Sequence, residues 1–285
     1  MITRVWLKDY RSFAEETVTL APLTVLVGRN GAGKSNVQGG WEAFRRWHAG
    51  DQALDVGLGL RIETPGMEAE YRIVLGSTPA GPVKQERCTV QQDGVVDGFE
   101  TQVVGGQKQW TRRPRRVSTP SKPRYLALPL LGGSPGFEDV YRTLNEMSFY
   151  TIIPNLLQDP QQPQEDYPLE ERGENLVSVL RTFDDDQRRR VHEALYRITG
   201  DVKRYTVEKS GPRLVVQLHH QTADNGPDFE LSQESDGTIR VLALLTALYQ
   251  RPYRSLIALE EPELTIHPGA MGVLWEEIKK ASQRS

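Results

Sequence analysis

Gly28-Arg29-Asn30-Gly31-Ala32-Gly33-Lys34-Ser35 fits the pattern G-x-x-x-x-G-K-[ST]. In such a loop successive backbone N–H groups surround phosphate oxygens at a helix amino terminus. Its glycines let the backbone bend close to the anion, Lys34 is placed to reach the β and γ phosphates, and the Ser35 hydroxyl becomes a ligand of Mg²⁺. A glycine-rich turn that merely contains Lys-Ser would lack the flanks this loop has. Leu23-Thr24-Val25-Leu26-Val27 before it is a continuous apolar run of the kind that suits a strand covered on both faces, and the residues after it, through Trp47, read as a helix. Strand, loop and helix in that order are what the mechanism requires.

Two other elements of the same chemistry lie far downstream. Leu256-Ile257-Ala258-Leu259 reads as a short buried strand that ends in Glu260-Glu261-Pro262-Glu263. Carboxylates at the carboxyl end of such a strand, beside a phosphate loop, are suited to hold Mg²⁺ and the attacking water; Glu260 would support the metal and Glu261 would polarise the water. Taken alone, the same residues could be a solvated acidic turn. Ser235-Asp236-Gly237-Thr238 opens a predicted helix over 239–250 with Val241, Leu242, Leu244, Leu245 and Leu248 on a broad apolar face. A Ser-x-Gly helix start offers a hydroxyl, amides and a helix dipole to an anion, and it also serves as an ordinary N-cap.

Outward from these motifs, residues 2–7 alternate as a strand, 18–20 read as a short second one, and 58–104 read as an antiparallel β subdomain with hairpin signals at Asp93-Gly94 and Asp97-Gly98. Residues 105–136 have loop chemistry, 158–168 form an exposed connector, and 137–157 begin as helix and turn irregular near Pro154. Residues 174–182 read as a helix. Asp184 and Gln187 form a capping box for a second helix carrying Val191, Ala194, Leu195 and Ile198 and stopping at Gly200. Residues 202–207 and 214–218 read as a β pair turning at Ser210-Gly211. This gives an expected division into an amino-terminal lobe with phosphate loop and β subdomain (1–105), inserted loops and a helical lobe (106–200), and a carboxyl-terminal lobe (201–285).

At 285 residues the chain holds about two domains of material at ~150 residues each. With 38% hydrophobic and 26% charged residues it has globular composition, and no apolar run approaches the roughly 20 residues of a bilayer span. Residues 1–9 carry charges where a signal peptide is apolar. The single cysteine, Cys88, makes no internal disulfide and reads as a small buried residue, so the expected setting is the cytoplasm. A net charge of −3 means that nucleic acid, if bound, would meet a local patch. The candidate is Arg112, Arg113, Arg115, Arg116, Lys122 and Arg124 beside Trp110 and Tyr125, with a solvated loop as the plain alternative. Arg188-Arg189-Arg190 after Asp184-Asp185-Asp186 reads as a self-paired exposed face. His219-His220 reads as a strand end without a nearby carboxylate or Cys partner at ligand spacing, which argues against a metal role.

Together, Tyr10-Arg11-Ser12-Phe13, residues 28–36 reading GRNGAGKSN, Ser235-Asp236-Gly237-Thr238, and Glu260-Glu261-Pro262-Glu263 followed by His267-Pro268 resemble the ATP-binding cassette ATPase head. The resemblance is to its RecF, SMC and OLD-like branch, including bacterial AAA-type ATP-binding proteins, and is best over 1–50 and 170–270. It implies an α/β P-loop NTPase fold of the ABC-ATPase type with an antiparallel β subdomain and an inserted helical lobe. It further implies ATP and Mg²⁺ as cofactors and a dimer of heads, each nucleotide held on one head's loop and capped by Ser235 and Gly237 of the other. On this carry-over Asn30, Gly31, Ala32, Gly33, Lys34, Ser35 and Asn36 bind nucleotide, Ser35 and Glu260 hold the metal, and Lys34 and Glu261 are catalytic. Glu260 stands where the family usually has Asp. Arg11 is the candidate to report the γ phosphate to the first strands, and Gln85, Gln91, Gln92 and Gln158 are open as the Q-loop residue. His267 falls in the D-loop segment, and 285 residues stop short of the family's switch-histidine strand. The partners implied are DNA or a nuclease or other effector subunit, in repair or phage defence, and not a membrane. A scaffold in which ATP organises an oligomer with negligible hydrolysis is the rival.

Overall fold

The computed structural model describes residues 1–10, 13–29, 34, 56–76, 83–114, 125–164, 168–221 and 228–284. They divide into two compact units, Met1–Met147 and Ser148–Ser285.

The first unit is a seven-stranded antiparallel sheet in the order β2-β1-β3-β4-β5-β6-β7. Its strands are β1 (Ile2–Tyr10), β2 (Phe13–Thr19), β3 (Val56–Thr64), β4 (Met67–Leu75), β5 (Val83–Gln92), β6 (Val95–Val104) and β7 (Gln107–Arg112). Strict alternation builds the buried face: Met67, Ala69, Tyr71 and Ile73 of β4 point inward, and Glu68, Glu70 and Arg72 outward. Asp93-Gly94 makes the β5–β6 turn with positive φ at both residues, as its sequence suggests. Asp97-Gly98 does not turn the chain. It lies inside β6, where a Cβ on Gly98 would stand 2.6 Å from the Cys88 carbonyl oxygen, so this glycine serves a close strand approach. Residues 105–112, expected as loop, instead form a Gly105-Gly106 turn and β7.

The run 23–27 is the larger difference. It forms no strand, and Val25, Leu26 and Val27 are exposed, Val27 by 88%. Among the described residues no strand pairs with it, and at its start a local turn forms in which Thr24 Oγ1 accepts from the Ala21 N–H at 2.9 Å. The expected helix through Trp47 lies outside the described residues.

A charged staple closes the sheet. The Glu86 carboxylate, fully buried on β5, accepts from Lys108 Nζ (3.0 Å), the Tyr71 hydroxyl (3.1 Å) and the N–H groups of Ala127 (2.5 Å) and Leu128 (2.8 Å). Lys108 also donates to the Tyr125 carbonyl at 2.7 Å. The staple fixes the start of helix α1 (Leu128–Leu131), which is followed by α2 (Phe137–Asn145). Cys88 next to it is fully buried as expected, and burial pushes its thiol well above the usual range.

The second unit contains β8 (Met147–Tyr150), α3 (Leu176–Thr182), α4 (Asp185–Thr199), β9 (Val202–Ser210), β10 (Arg213–His220), β11 (Asp228–Glu230), α5 (Asp236–Tyr249), β12 (Leu256–Leu259) and α6 (Met271–Ser282). β11-β10-β9 form one sheet, and β12 pairs with β8 in another. β8 occupies part of the span 137–157 expected to be helix and then irregular. The capping box is present, with Gln187 N–H donating to Asp184 Oδ1 at 2.8 Å and the Gln187 side chain accepting from Asp184 N–H. α4 packs on β9 and on α5 although sequence spacing put the two helices in separate lobes. α5 has no polar face: every residue from 239 to 249 is buried, because α3, α4 and α6 surround it. β12 is only half-buried, since β8 is its single partner among the described residues.

Replacing Lys108 by Met removes one half of a fully buried ion pair and strands the Glu86 charge. The variant is expected to lose about 3–5 kcal/mol of stability in urea unfolding; an unchanged midpoint would show that the staple contributes nothing.

Candidate functional site

Of the phosphate loop, Gly28, Arg29 and Lys34 are described; Asn30, Gly31, Ala32, Gly33, Ser35, Asn36 and also Arg11 lie outside the described residues. Lys34 is folded back on its own loop, with Nζ donating to the carbonyl oxygens of Gly28 at 2.7 Å and Arg29 at 3.1 Å. The ammonium is therefore held by neutral acceptors that an anion can replace.

The other candidate residues belong to the second unit. Glu260 follows β12 directly, and its N–H donates to the Tyr150 carbonyl at 2.9 Å, so the carboxyl ends of β8 and β12 lie together. Its Oε2 accepts from the Thr151 hydroxyl at 3.1 Å. One carboxylate oxygen is thereby oriented by a neighbouring side chain, as is usual for a carboxylate that supports a metal. Glu261 is exposed and adopts φ +46°, a left-handed conformation that costs a non-glycine residue about 1–2 kcal/mol. Thr265 repeats it at φ +63°. Two such residues within five mark a tight loop held in a defined shape.

That shape is matched by the start of α5. Ser235 is the N-cap, its Oγ accepting from Thr238 N–H at 3.1 Å and bonded to Thr238 Oγ1 at 2.9 Å. Gly237 is pressed onto the loop after the acidic strand: a Cβ there would stand 2.5 Å from the Thr265 carbonyl oxygen. Only glycine lets the two backbones approach so closely. The Ser-x-Gly turn and the segment following Glu261, separated by two dozen residues in sequence, thus form one surface.

Arg240 completes it and was not singled out from the sequence. It is 8% exposed, its Nε has no hydrogen-bond partner, and the charges nearest it are Asp236, Glu261 and Glu263. Burial lowers its pKa and the three carboxylates oppose that. The available signal was one charged residue inside the apolar run 239–249, one helical turn beyond Gly237. Thr151 gave no signal, because the strand before it was not anticipated.

Residues 149–285 match the family described as "AAA domain, putative AbiEii toxin, Type IV TA system". Across the whole chain, the SMC head domain from Thermotoga maritima is similar in structure, with a TM-score of 0.50 at 14% identity, covering 100% of this chain and 86% of that one. The chain thus shares the fold of an SMC-type P-loop NTPase head, and residues 149–285 match an AAA-domain family. No curated protein matches it. The mixed α/β architecture implied by the resemblance holds, with its antiparallel subdomain.

Other candidate features of the head divide. Trp110, read beside the basic run, packs edge-on against Phe99 at 5.8 Å and is not offered to a base, and Arg115, Arg116, Lys122 and Arg124 lie outside the described residues. Arg189 pairs with Asp186 and Glu193, and Arg190 with Asp186, as a self-paired face should. His219 and His220 take carboxylate partners from beyond ligand spacing: Asp228 for His219, and Asp201 and Glu234 for His220. All three are distant in sequence, so spacing alone did not show them. No helix among the described residues is long and apolar enough to cross a membrane.

Substituting Gly237 by Ala forces a methyl group onto the Thr265 carbonyl. Overpacking of this kind costs about 1–3 kcal/mol, and a lowered thermal midpoint is expected; an unchanged midpoint would mean that the Glu261–Thr265 loop yields freely.

Proposed function

We propose that this head binds MgATP on residues 28–36 and hydrolyses it, with two heads sharing each nucleotide. The observation that carries this reading is the contact of the Ser235–Gly237 turn with the loop that bears Glu261. A surface joining an anion-binding helix start to a carboxylate in a strained loop suits a seam between two heads, Glu261 serving the nucleotide on its own head and the Ser235–Gly237 turn the nucleotide on the facing head. Each unit by itself offers donors that suit the cofactor: the first a lysine on replaceable carbonyls with a Ser hydroxyl next in sequence, the second a glutamate with one oxygen already oriented by Thr151.

Bound MgATP supplies the transferable phosphoryl group and the metal charge that offsets its oxygens. Lys34 leaves the carbonyls of Gly28 and Arg29 and neutralises phosphate charge. Ser35 and Glu260 support the metal, and Thr151 keeps Glu260 from turning away. Glu261 holds the attacking water and draws its proton. The Ser235 hydroxyl and the amides of the α5 start, aligned with the helix dipole, cap the nucleotide of the facing head. Asn30, Gly31, Ala32, Gly33 and Asn36 line the phosphates, and Arg11 reports their state to β1 and β2.

A clamp that closes with ATP and opens on hydrolysis does mechanical or gating work on a partner. The partner class we infer is DNA or an effector such as a nuclease, in the cytoplasm, within phage defence or DNA repair. The toxin–antitoxin wording of the matched family supports the defence setting, and the likeness to an SMC head supports pairing of heads.

Lys34→Ala is expected to weaken binding of a fluorescent ATP analogue by about ten- to a hundredfold, the loss of one or two charge-assisted bonds. Glu261→Gln should keep that binding and lower phosphate release by about 10²–10⁴-fold. Equal phosphate release by Glu261→Gln and wild type would favour an ATP-organised scaffold over an ATPase.

A further inference from the structure

His220 is the last residue of β10 and sits between two carboxylates from different parts of the second unit. Nδ1 lies 3.0 Å from Asp201 Oδ2, in the turn between α4 and β9, and Nε2 lies 2.6 Å from Glu234 Oε1, in the turn immediately before Ser235. Side-chain exposure is 13% for His220 and 7% for Glu234, against 60% for Asp201. The Glu234 contact is therefore the sheltered one. Backbone bonds hold both turns: Gln221 N–H donates to Asp201 O at 2.7 Å, and Glu234 N–H to Leu231 O at 3.2 Å. β11 contributes only the edge of Phe229 against the imidazole, at 5.1 Å and 82°. The adjacent His219 turns to Asp228 and Thr206, so among the described residues Asp201 and Glu234 are the titratable groups facing His220.

A neutral imidazole donates from one nitrogen only, so its other nitrogen would present a lone pair to a carboxylate. Both bonds are satisfied only in the imidazolium. Burial disfavours the charge, but the hydrogen bonds from Glu234 and Asp201 outweigh it, and the pKa is raised. The folded chain thus holds this proton more tightly than the unfolded one. The stabilisation is complete below an unfolded value of about 6.5 and fades as pH climbs through the folded value.

We propose that His220 is a positioning residue: as an imidazolium it ties Glu234 to the end of β10, fixes the turn that presents Ser235 and Gly237, and makes ATP-linked pairing of heads tighter on the acid side. This rests on the shared-nucleotide reading above. Deprotonation releases one end of the bridge. The Glu234 turn then gains freedom at the residue next to the α5 N-cap, and ordering that turn on a facing nucleotide costs more.

The test is the dimer dissociation constant of the Glu261→Gln chain with saturating MgATP from pH 6.0 to 9.0, measured by sedimentation, alongside binding of a fluorescent ATP analogue to the monomer. Pairing is expected to weaken by about tenfold across this range as one proton is lost, while the monomer's nucleotide affinity changes less. Adding His220→Gln, whose amide donates to Glu234 at every pH, should give pairing that is flat with pH. Glu234→Gln should flatten it too, and guards against a fold defect peculiar to the His220 change. A wild-type slope retained by both variants, or a chain that pairs equally at every pH, overturns the proposal and leaves the shared-nucleotide reading standing. Absence of pairing at any pH with nucleotide bound overturns both.

Discussion

A helix with no solvent face cannot rotate or slide without opening a core, and α5 is such a helix. Residues 239–249 are all buried among α3, α4 and α6. Its amino-terminal turn is therefore placed by the packing of the whole second unit. On that footing Gly237 meets the Thr265 carbonyl, and the loop carrying Glu261 is held against an anion-binding helix start. The same packing explains the buried Arg240, whose charge would be costly away from Asp236, Glu261 and Glu263. The surface we assign to nucleotide capping is thus a by-product of a rigid core with two strained loop residues at its edge.

The two units use different physics for the same purpose. In the first, a buried carboxylate with four donors pins the residues after β7 to the sheet. In the second, the cohesion is mainly apolar, and charged contacts link the helices at their edges. Tyr249 donates to the Glu277 carboxylate, which also meets Arg197 and Lys280, tying α6 to the end of α5 and to α4. The hydrogen bonds from Tyr249 and Lys280 and the charges of Lys280 and Arg197 overcome burial and hold the Glu277 pKa below its ordinary value. Charges so placed specify which helix faces meet, where an apolar surface would tolerate sliding.

Much of this was legible in the sequence because local rules carried it. Alternation gave β4, the Asp184–Gln187 spacing gave the α4 start, and the Ser-x-Gly turn gave the α5 N-cap. What escaped was set by contacts remote in sequence. The apolar run 23–27 has the composition of a covered strand, yet composition cannot supply the neighbour that makes one. Asp97-Gly98 has turn chemistry, but the neighbouring strand's Cys88 carbonyl needs a glycine there more than the chain needs a turn. His220 lacked a nearby carboxylate only along the chain. Arg240 and Thr151 were missed for a similar reason, since each takes its meaning from a loop that folding brings beside it.

The central claim is that the Ser235–Gly237 surface is half of a site completed by a second head. The most direct measurement is the light-scattering mass of the Glu261→Gln chain with and without MgATP, since blocking turnover traps whatever the nucleotide assembles. The account predicts an ATP-dependent doubling that Ser235→Arg abolishes while nucleotide binding persists. A mass that stays monomeric with nucleotide bound, or a doubling indifferent to Ser235→Arg, would contradict it.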